Sequence, residues 1–221
     1  MVFERNIPRM GWVVVFLIVV MAVVFSYLNV RRGGEGGTVE AFGLSRYAKA
    51  PDFEFLAHDG TKLGIADLLG KVWVANFVFT RCQGPCPRMT ALMRRIQDAL
   101  KRAGYEDVRL VTVTVDPDYD TPELLARYAG NVGADATMWK FVTGPRAQVE
   151  RVVRKGFLQR FGTDHDGGLV HSTRFVVVDR DGWIRAFQDG EERIAFEKIL
   201  LDIRDLRNEG SVGDGDKGED G

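Results

Sequence analysis

Cysteine is nearly absent from this 221-residue chain: Cys82 and Cys86 are the only two. A bridge between residues so close would close a tiny loop, which excludes a fold stapled together by disulfides. Their value must lie in chemistry, as a redox pair, a metal pair or both. Histidine is almost as rare, at positions 58, 165 and 171. Neither sign of charge dominates. Thirty Lys and Arg face 31 Asp and Glu, a formal net charge of −1, so no global basic field invites a nucleic acid. No internal repeat is visible. What is present is ordinary for a globular fold, with 45% hydrophobic and 28% charged residues, which argues against a disordered or fibrous chain.

One long apolar run stands out. No charged residue occurs from Met10 through Val30. As a helix this stretch rises about 30 Å, the thickness of a bilayer's hydrocarbon core. A cleaved signal peptide would have a shorter apolar region followed by a small-x-small site, whereas Phe25-Ser26-Tyr27-Leu28 follows here. The expected organisation is a short tail over 1–10, a transmembrane anchor over 11–30 and a linker over 31–50. A folded domain over 51–207 and a disordered Gly- and acid-rich tail over 208–221 complete it. Gly33-Gly34-Glu35-Gly36-Gly37 cannot pack, and from Glu209 onward five acids stand against one lysine. Arginines flank both ends of the apolar run, so the positive-inside rule scarcely votes on orientation.

Between linker and tail, strands and helices alternate. Residues 52–57 alternate apolar and polar, and His58-Asp59-Gly60 reads as a hairpin turn. Residues 72–79 form a near-continuous apolar run, as in a central strand covered on both faces. Helical spacing over 88–102 is followed by a second buried strand over 108–115. Thr121 and Pro122 start a helix reaching 128 or 129. A short strand over 139–142, a helix over 145–156, a hairpin from 174–179 to 183–187 and a helix over 194–206 follow. This order describes an α/β, thioredoxin-like layer fold, a central mixed sheet flanked by helices.

Cys82 and Cys86 fall where the first buried strand ends and a helix begins near Pro87. The helix N-terminus favours a thiolate and lowers the pKa of Cys86. Three intervening residues, Gln83, Gly84 and Pro85, make a loop wide enough for a disulfide or for two sulfurs on one soft ion such as Cu(I). Two thiolates leave a metal under-coordinated, so a third ligand is sought among the histidines. His58 reads as an exposed turn residue and His165 as a residue of a polar loop. His171 stands just before the strand at 174, beside the cysteine loop in such a sheet; a capping or core role is the alternative.

These residues resemble the Sco/SenC family. Thr80-Arg81-Cys82-x-x-x-Cys86-Pro87 resembles its CxxxCP motif, and Val115-Asp116-Pro117 through Asp120-Thr121-Pro122-Glu123 its VDPxxDTPE stretch. Trp139 through Gly144 is similar to its W..LTG strand, and His171-Ser172-Thr173-Arg174 with Val178-Asp179 and Gly182 to its HS.R..LVD..G segment. Where many members carry proline after the first cysteine, Gln83 stands here. The resemblance implies copper bound by Cys82, Cys86 and His171, in a protein that serves the dinuclear copper centre of cytochrome c oxidase subunit II. It implies a metallochaperone, not an enzyme, anchored in the inner membrane with its domain facing the periplasm, and other copper chaperones among its partners. A thiol-disulfide oxidoreductase acting through the same two cysteines is the alternative. A peroxidase of the peroxiredoxin kind lacks its Pro-x-x-x-Thr-x-x-Cys string. Arg81 and Arg88 could steer an acidic partner, or be ordinary solvated surface, and Asp116 and Pro117 shape the turn after a strand.

Overall fold

In the computed structural model the described residues are 20–21, 44–159, 161–163 and 169–212. The chain divides into Met1–Phe42 and Gly43–Gly221, and the second unit is the body described here. The expected anchor (apart from residues 20–21), the linker through residue 43, His165 and the tail beyond 212 lie outside the described residues. Among the described residues no helix is long and apolar enough to cross a membrane.

The elements are β1 Ala48–Lys49, β2 Glu54–Ala57, β3 Lys62–Gly64, α1 Ile65–Leu68, β4 Val72–Val78 and α2 Cys86–Arg102. They continue with β5 Val108–Thr114, α3 Pro122–Asn131, β6 Trp139–Thr143 and α4 Arg146–Arg151, which a π-helical turn Val152–Gly156 prolongs. Last come β7 Phe161–Thr163, β8 Leu169–His171, β9 Arg174–Val178, β10 Trp183–Asp189 and α5 Ala195–Val212. Eight strands form one mixed sheet in the order β1-β10-β9-β4-β5-β6-β2-β3, and β7 and β8 pair separately. β4, β5 and β6 run parallel, while β9 lies antiparallel to β4 and β2 to β6.

Every residue of β4 is buried, and the pleat divides them. Val72 and Val74 face a core built with Met89, Met93 and Ile96 of α2, Leu125 of α3, and Ile199 and Ile203 of α5. Trp73, Ala75 and Phe77 face a second core with Phe53, Phe55, Val149, Val153 and Phe157. A strand covered on both sides needs no polar alternation, which is why 72–79 reads as a continuous run. Each such large side chain contributes about 1.5–3 kcal/mol of burial. The expected mixed α/β fold is borne out.

The turns obey local chemistry. Thr121 caps α3, its hydroxyl accepting the Leu124 N–H at 3.3 Å, with Pro122 in the first turn. Gly182 adopts φ +77° in the β9–β10 turn, where a side chain would be strained.

Three expectations change. The sheet starts earlier than residue 51, because Ala48 and Lys49 pair with Ile184 and Trp183 as an edge strand. α5 runs past 207 to Val212, because Glu209 on its last turns pairs with Arg185 at 2.8 Å. His58 is in the expected turn, but it is half-buried rather than exposed. Its Nδ1 accepts the Phe141 N–H at 3.2 Å and its ring stands edge-on to Phe141. That bond requires a neutral Nδ1.

Burial holds the His58 imidazole below its ordinary value of 6.5; Asp59 opposes this and Lys140 adds to it. The unfolded chain therefore takes up a proton at a pH where the folded chain does not. The neutral ring's contribution is full above about 6.5 and is lost as pH falls through the lowered folded value. His58→Asn is expected to lose less melting temperature than the parent between about pH 7.5 and about pH 5.5, read by thermal denaturation. Equal losses would remove His58 as a cause.

Candidate metal centre

The parallel strands β4 and β5 end side by side, with Val78 opposite Thr114. Loops at the carboxyl ends of adjacent parallel strands are where open α/β sheets build their sites. The chain leaves β4 through Phe79 and Thr80, and the Cys82 N–H donates to the Phe79 carbonyl at 3.2 Å. Gln83 and Gly84 are exposed, and Cys86 opens α2 with Pro87 in the first turn. Cys82 is half-buried and Cys86 fully buried, and both are thiols rather than a disulfide.

The expected lowering of the Cys86 pKa is not what the site does. Burial pushes the Cys86 thiol up, a hydrogen bond with Cys82 adds to the rise, and the N–H groups of Phe79 and of Cys86 itself oppose it. The helix N-terminus is present, but desolvation of a sulfur with no exposed surface outweighs it. A buried thiol in hydrogen-bond contact with a more exposed one suits two chemistries. The sulfurs can share a soft ion after losing their protons, or close a disulfide.

His171 is the last residue of β8, its backbone paired with Phe161. Three residues later β9 pairs with β4, with Val176 opposite Ala75 and Val178 opposite Trp73. Continued in this antiparallel register, each step past Val78 toward the cysteines is a step back from Arg174 toward His171. Both segments leave the sheet at one end. Side chains bind that end together. Thr173 Oγ1 donates to Asp189 at 2.9 Å, the Thr173 carbonyl accepts the Gly190 N–H at 3.0 Å, and Glu191 pairs at 2.8 Å with Arg88, two residues after Cys86. His58, held to the middle of β6, stands apart from this end. Among the described residues no three His, Cys, Asp or Glu side chains form a metal cage.

The VDPxxDTPE stretch enters the site more deeply than a turn-shaping role suggests. Asp116 is 3% exposed and accepts Arg81 Nε at 2.7 Å, and the Arg81 guanidinium lies 4.8 Å over the Tyr119 ring. Its carbonyl also accepts the N–H groups of Tyr119 and Asp120, which is the expected structural role. Arg81 and Arg88 thus each hold a carboxylate of their own chain. Sequence reasoning quoted Asp120 in its motif but gave it no role; it is a fully buried carboxylate bonded to Thr80 and Thr114. Sequence reasoning missed Tyr128, whose hydroxyl lies 3.0 Å from Thr90 on α2. Burial raises the Tyr128 pKa, and the hydrogen bond with Thr90 opposes that. The available signal was an acid in the turn between a buried strand and a capped helix.

The family model described as SCO1/SenC matches residues 43–206. The SCO1 protein homolog of Bacillus subtilis is 32% identical over 154 residues, which cover 69% of this chain and 79% of that one. Among solved structures, BsSco, described as a member of the Sco family of cytochrome c oxidase assembly proteins and as containing a disulfide switch, is 31% identical with a TM-score of 0.67. The match covers 75% of this chain and 96% of BsSco. Yeast Sco1 with copper bound shares the fold at 20% identity, with a TM-score of 0.60 over 72% of this chain and 90% of its own.

Proposed function

Because this chain belongs to the SCO1/SenC family, we propose that it is a copper chaperone tethered to the membrane by residues 11–30, carrying one copper ion on Cys82, Cys86 and His171. The ion is its cargo, passed to the dinuclear copper centre of cytochrome c oxidase subunit II. The observation that carries this reading is the pair of thiols in mutual contact where β4 ends, with β9, which begins three residues after His171, antiparallel to β4. Soft sulfur donors suit Cu(I), and imidazole completes a low-coordinate set. Cys82 is the more exposed sulfur and is where an incoming ion or an exchanging partner ligand makes first contact. Cys86 loses its proton as the ion binds, because metal coordination needs the thiolate. A site with few ligands and one open side releases its ion by ligand exchange, which a closed four-ligand cage would resist.

The names of relatives support the reading. BsSco is placed among cytochrome c oxidase assembly proteins, and yeast Sco1 of this fold holds copper. The uncharged stretch from Met10 through Val30 supports the anchor, and delivery to an oxidase copper centre requires the domain to face the periplasm. Loading the purified chain with Cu(I) is expected to saturate at one ion per chain. A reporter fused at the C-terminus is expected to be active only outside the cytoplasm. Absence of copper binding, or a cytoplasmic reporter, refutes the corresponding part.

A second reading is favoured by the disulfide switch described for BsSco. The Cys82 thiolate attacks a partner's disulfide, forming one mixed S–S bond as the partner's bond breaks and one partner thiolate leaves. Cys86 then attacks the Cys82 sulfur, closing the Cys82–Cys86 disulfide and releasing the second partner thiol. Catalytic turnover by the copper-free chain with an added dithiol reductant would favour this reading over delivery of the ion.

A further inference from the structure

We propose that Asp120 is the positioning residue of the cysteine pair, a buried carboxylate that extends the hold of the sheet beyond its last strand pair to the loop carrying Cys82. This inference rests on the reading of that pair as the copper site. The β4–β5 ladder closes at Val78 opposite Thr114, followed by one further bond from the Val115 N–H to the Val78 carbonyl. Three residues, Phe79, Thr80 and Arg81, then separate Val78 from Cys82. In that gap the Thr80 N–H donates to both oxygens of Asp120, at 3.1 and 3.3 Å. The Thr80 hydroxyl donates to Oδ1 and the Thr114 hydroxyl to Oδ2. Thr114 is held in turn, its oxygen accepting the Asp116 N–H at 3.0 Å.

The carboxylate has no exposed surface, so water cannot solvate it. A buried charge persists only where donors replace that water. All of its side-chain partners come from the ends of the two strands that frame the site. The exchange is reciprocal: Asp120 needs these donors, and the Thr80 N–H has no ladder partner beyond Val78. A loop tied two residues before Cys82 cannot swing away from α2, and Cys86 stays covered. Outer partners of this kind orient ligands without touching the ion.

The test has a readout that needs no metal. Iodoacetamide labelling of the copper-free chain, followed by mass spectrometry, reports how often the loop opens to expose Cys86. Asp120→Asn keeps the shape but offers one acceptor oxygen in place of two. It is expected to label Cys86 about tenfold faster and to weaken Cu(I) binding by about 10–100-fold. Thr80→Val, which keeps the N–H but loses the hydroxyl, is expected to move both readouts in the same direction by less, and Thr80→Ser to restore them. Leu125→Ala, fully buried in the neighbouring α3, loosens that helix without touching the tether and is expected to leave Cys86 labelling near the parental rate. Parental labelling in Asp120→Asn overturns the proposal. So does Leu125→Ala labelling as fast as Asp120→Asn, since general loosening would then account for the effect. If Asp120→Asn fails to fold, the contrast between Thr80→Val and Thr80→Ser decides the matter. If the parent binds no copper, the functional reading fails on its own, while the labelling rates still decide the tether.

Discussion

A chain carrying Cys86→Ser is expected to hold Cu(I) more than about 100-fold more weakly than the parent in competition with a chromophoric chelator. That exceeds the loss from an outer partner because the bond itself is removed. The fold should survive. Cys86 is buried at the start of α2, and serine is slightly smaller and can keep the hydrogen bonds to Cys82 and to the Phe79 N–H. A melting temperature near the parent's would separate lost ligation from lost structure. Cys82→Ser is expected to match it, since either substitution leaves one sulfur. His171→Ala is expected to weaken binding by about 10–100-fold, less than either cysteine, because two thiolates still grip the soft ion. If His171→Ala binds as tightly as the parent, the third ligand has been wrongly assigned, while the sulfur pair would stand.

Arg185→Met is expected to destabilise the domain by about 3–5 kcal/mol in urea denaturation, the usual cost of removing one partner from a buried ion pair. The Arg185 side chain is 5% exposed and that of Asp179 9%. Its guanidinium donates to Asp179 and Glu209 at 2.9 and 2.8 Å, and its Nε to the Leu44 carbonyl at 2.8 Å. One cation thus joins the segment entering the sheet, the β9–β10 turn and the end of α5. Without it, Glu209 can return to water but Asp179 cannot. Asp179 keeps the N–H groups of Asp181 and Trp183 and no cation. The double variant Arg185→Met, Asp179→Asn is expected to lose less than the sum of the single losses, because the stranded charge is gone. A loss below about 1 kcal/mol in Arg185→Met would show that the pair is worth no more than a surface one.

Most elements of the domain were legible because the signals are local. A capping threonine with proline after it, a glycine-bearing hairpin turn and an unbroken apolar run each depend on neighbours within a few residues. β1 was not legible. Ala48-Lys49 carries no pattern, and its strand exists because the edge of β10 accepts it. The end of α5 was missed for a similar reason, since Glu209 sits in a Gly- and acid-rich stretch and is held by an arginine 24 residues earlier. The cysteine pair could be read as a site, but its protonation could not. Helix position is visible in the chain, whereas burial, which pushes Cys86 the other way, is a property of what packs around it.

By itself the amino-acid order determined the layer architecture, the spacing of the two sulfurs and the family, because these rest on periodicity and on motifs read in one dimension. Only the tertiary structure decided that Arg185 reaches Leu44, that Asp120 reaches back to Thr80, and that Cys86 is sealed from water. Each of these joins residues about 40 or more positions apart or depends on the depth of burial. Strand order and desolvation, which set them, arise when the sheet closes and have no local signature in the chain.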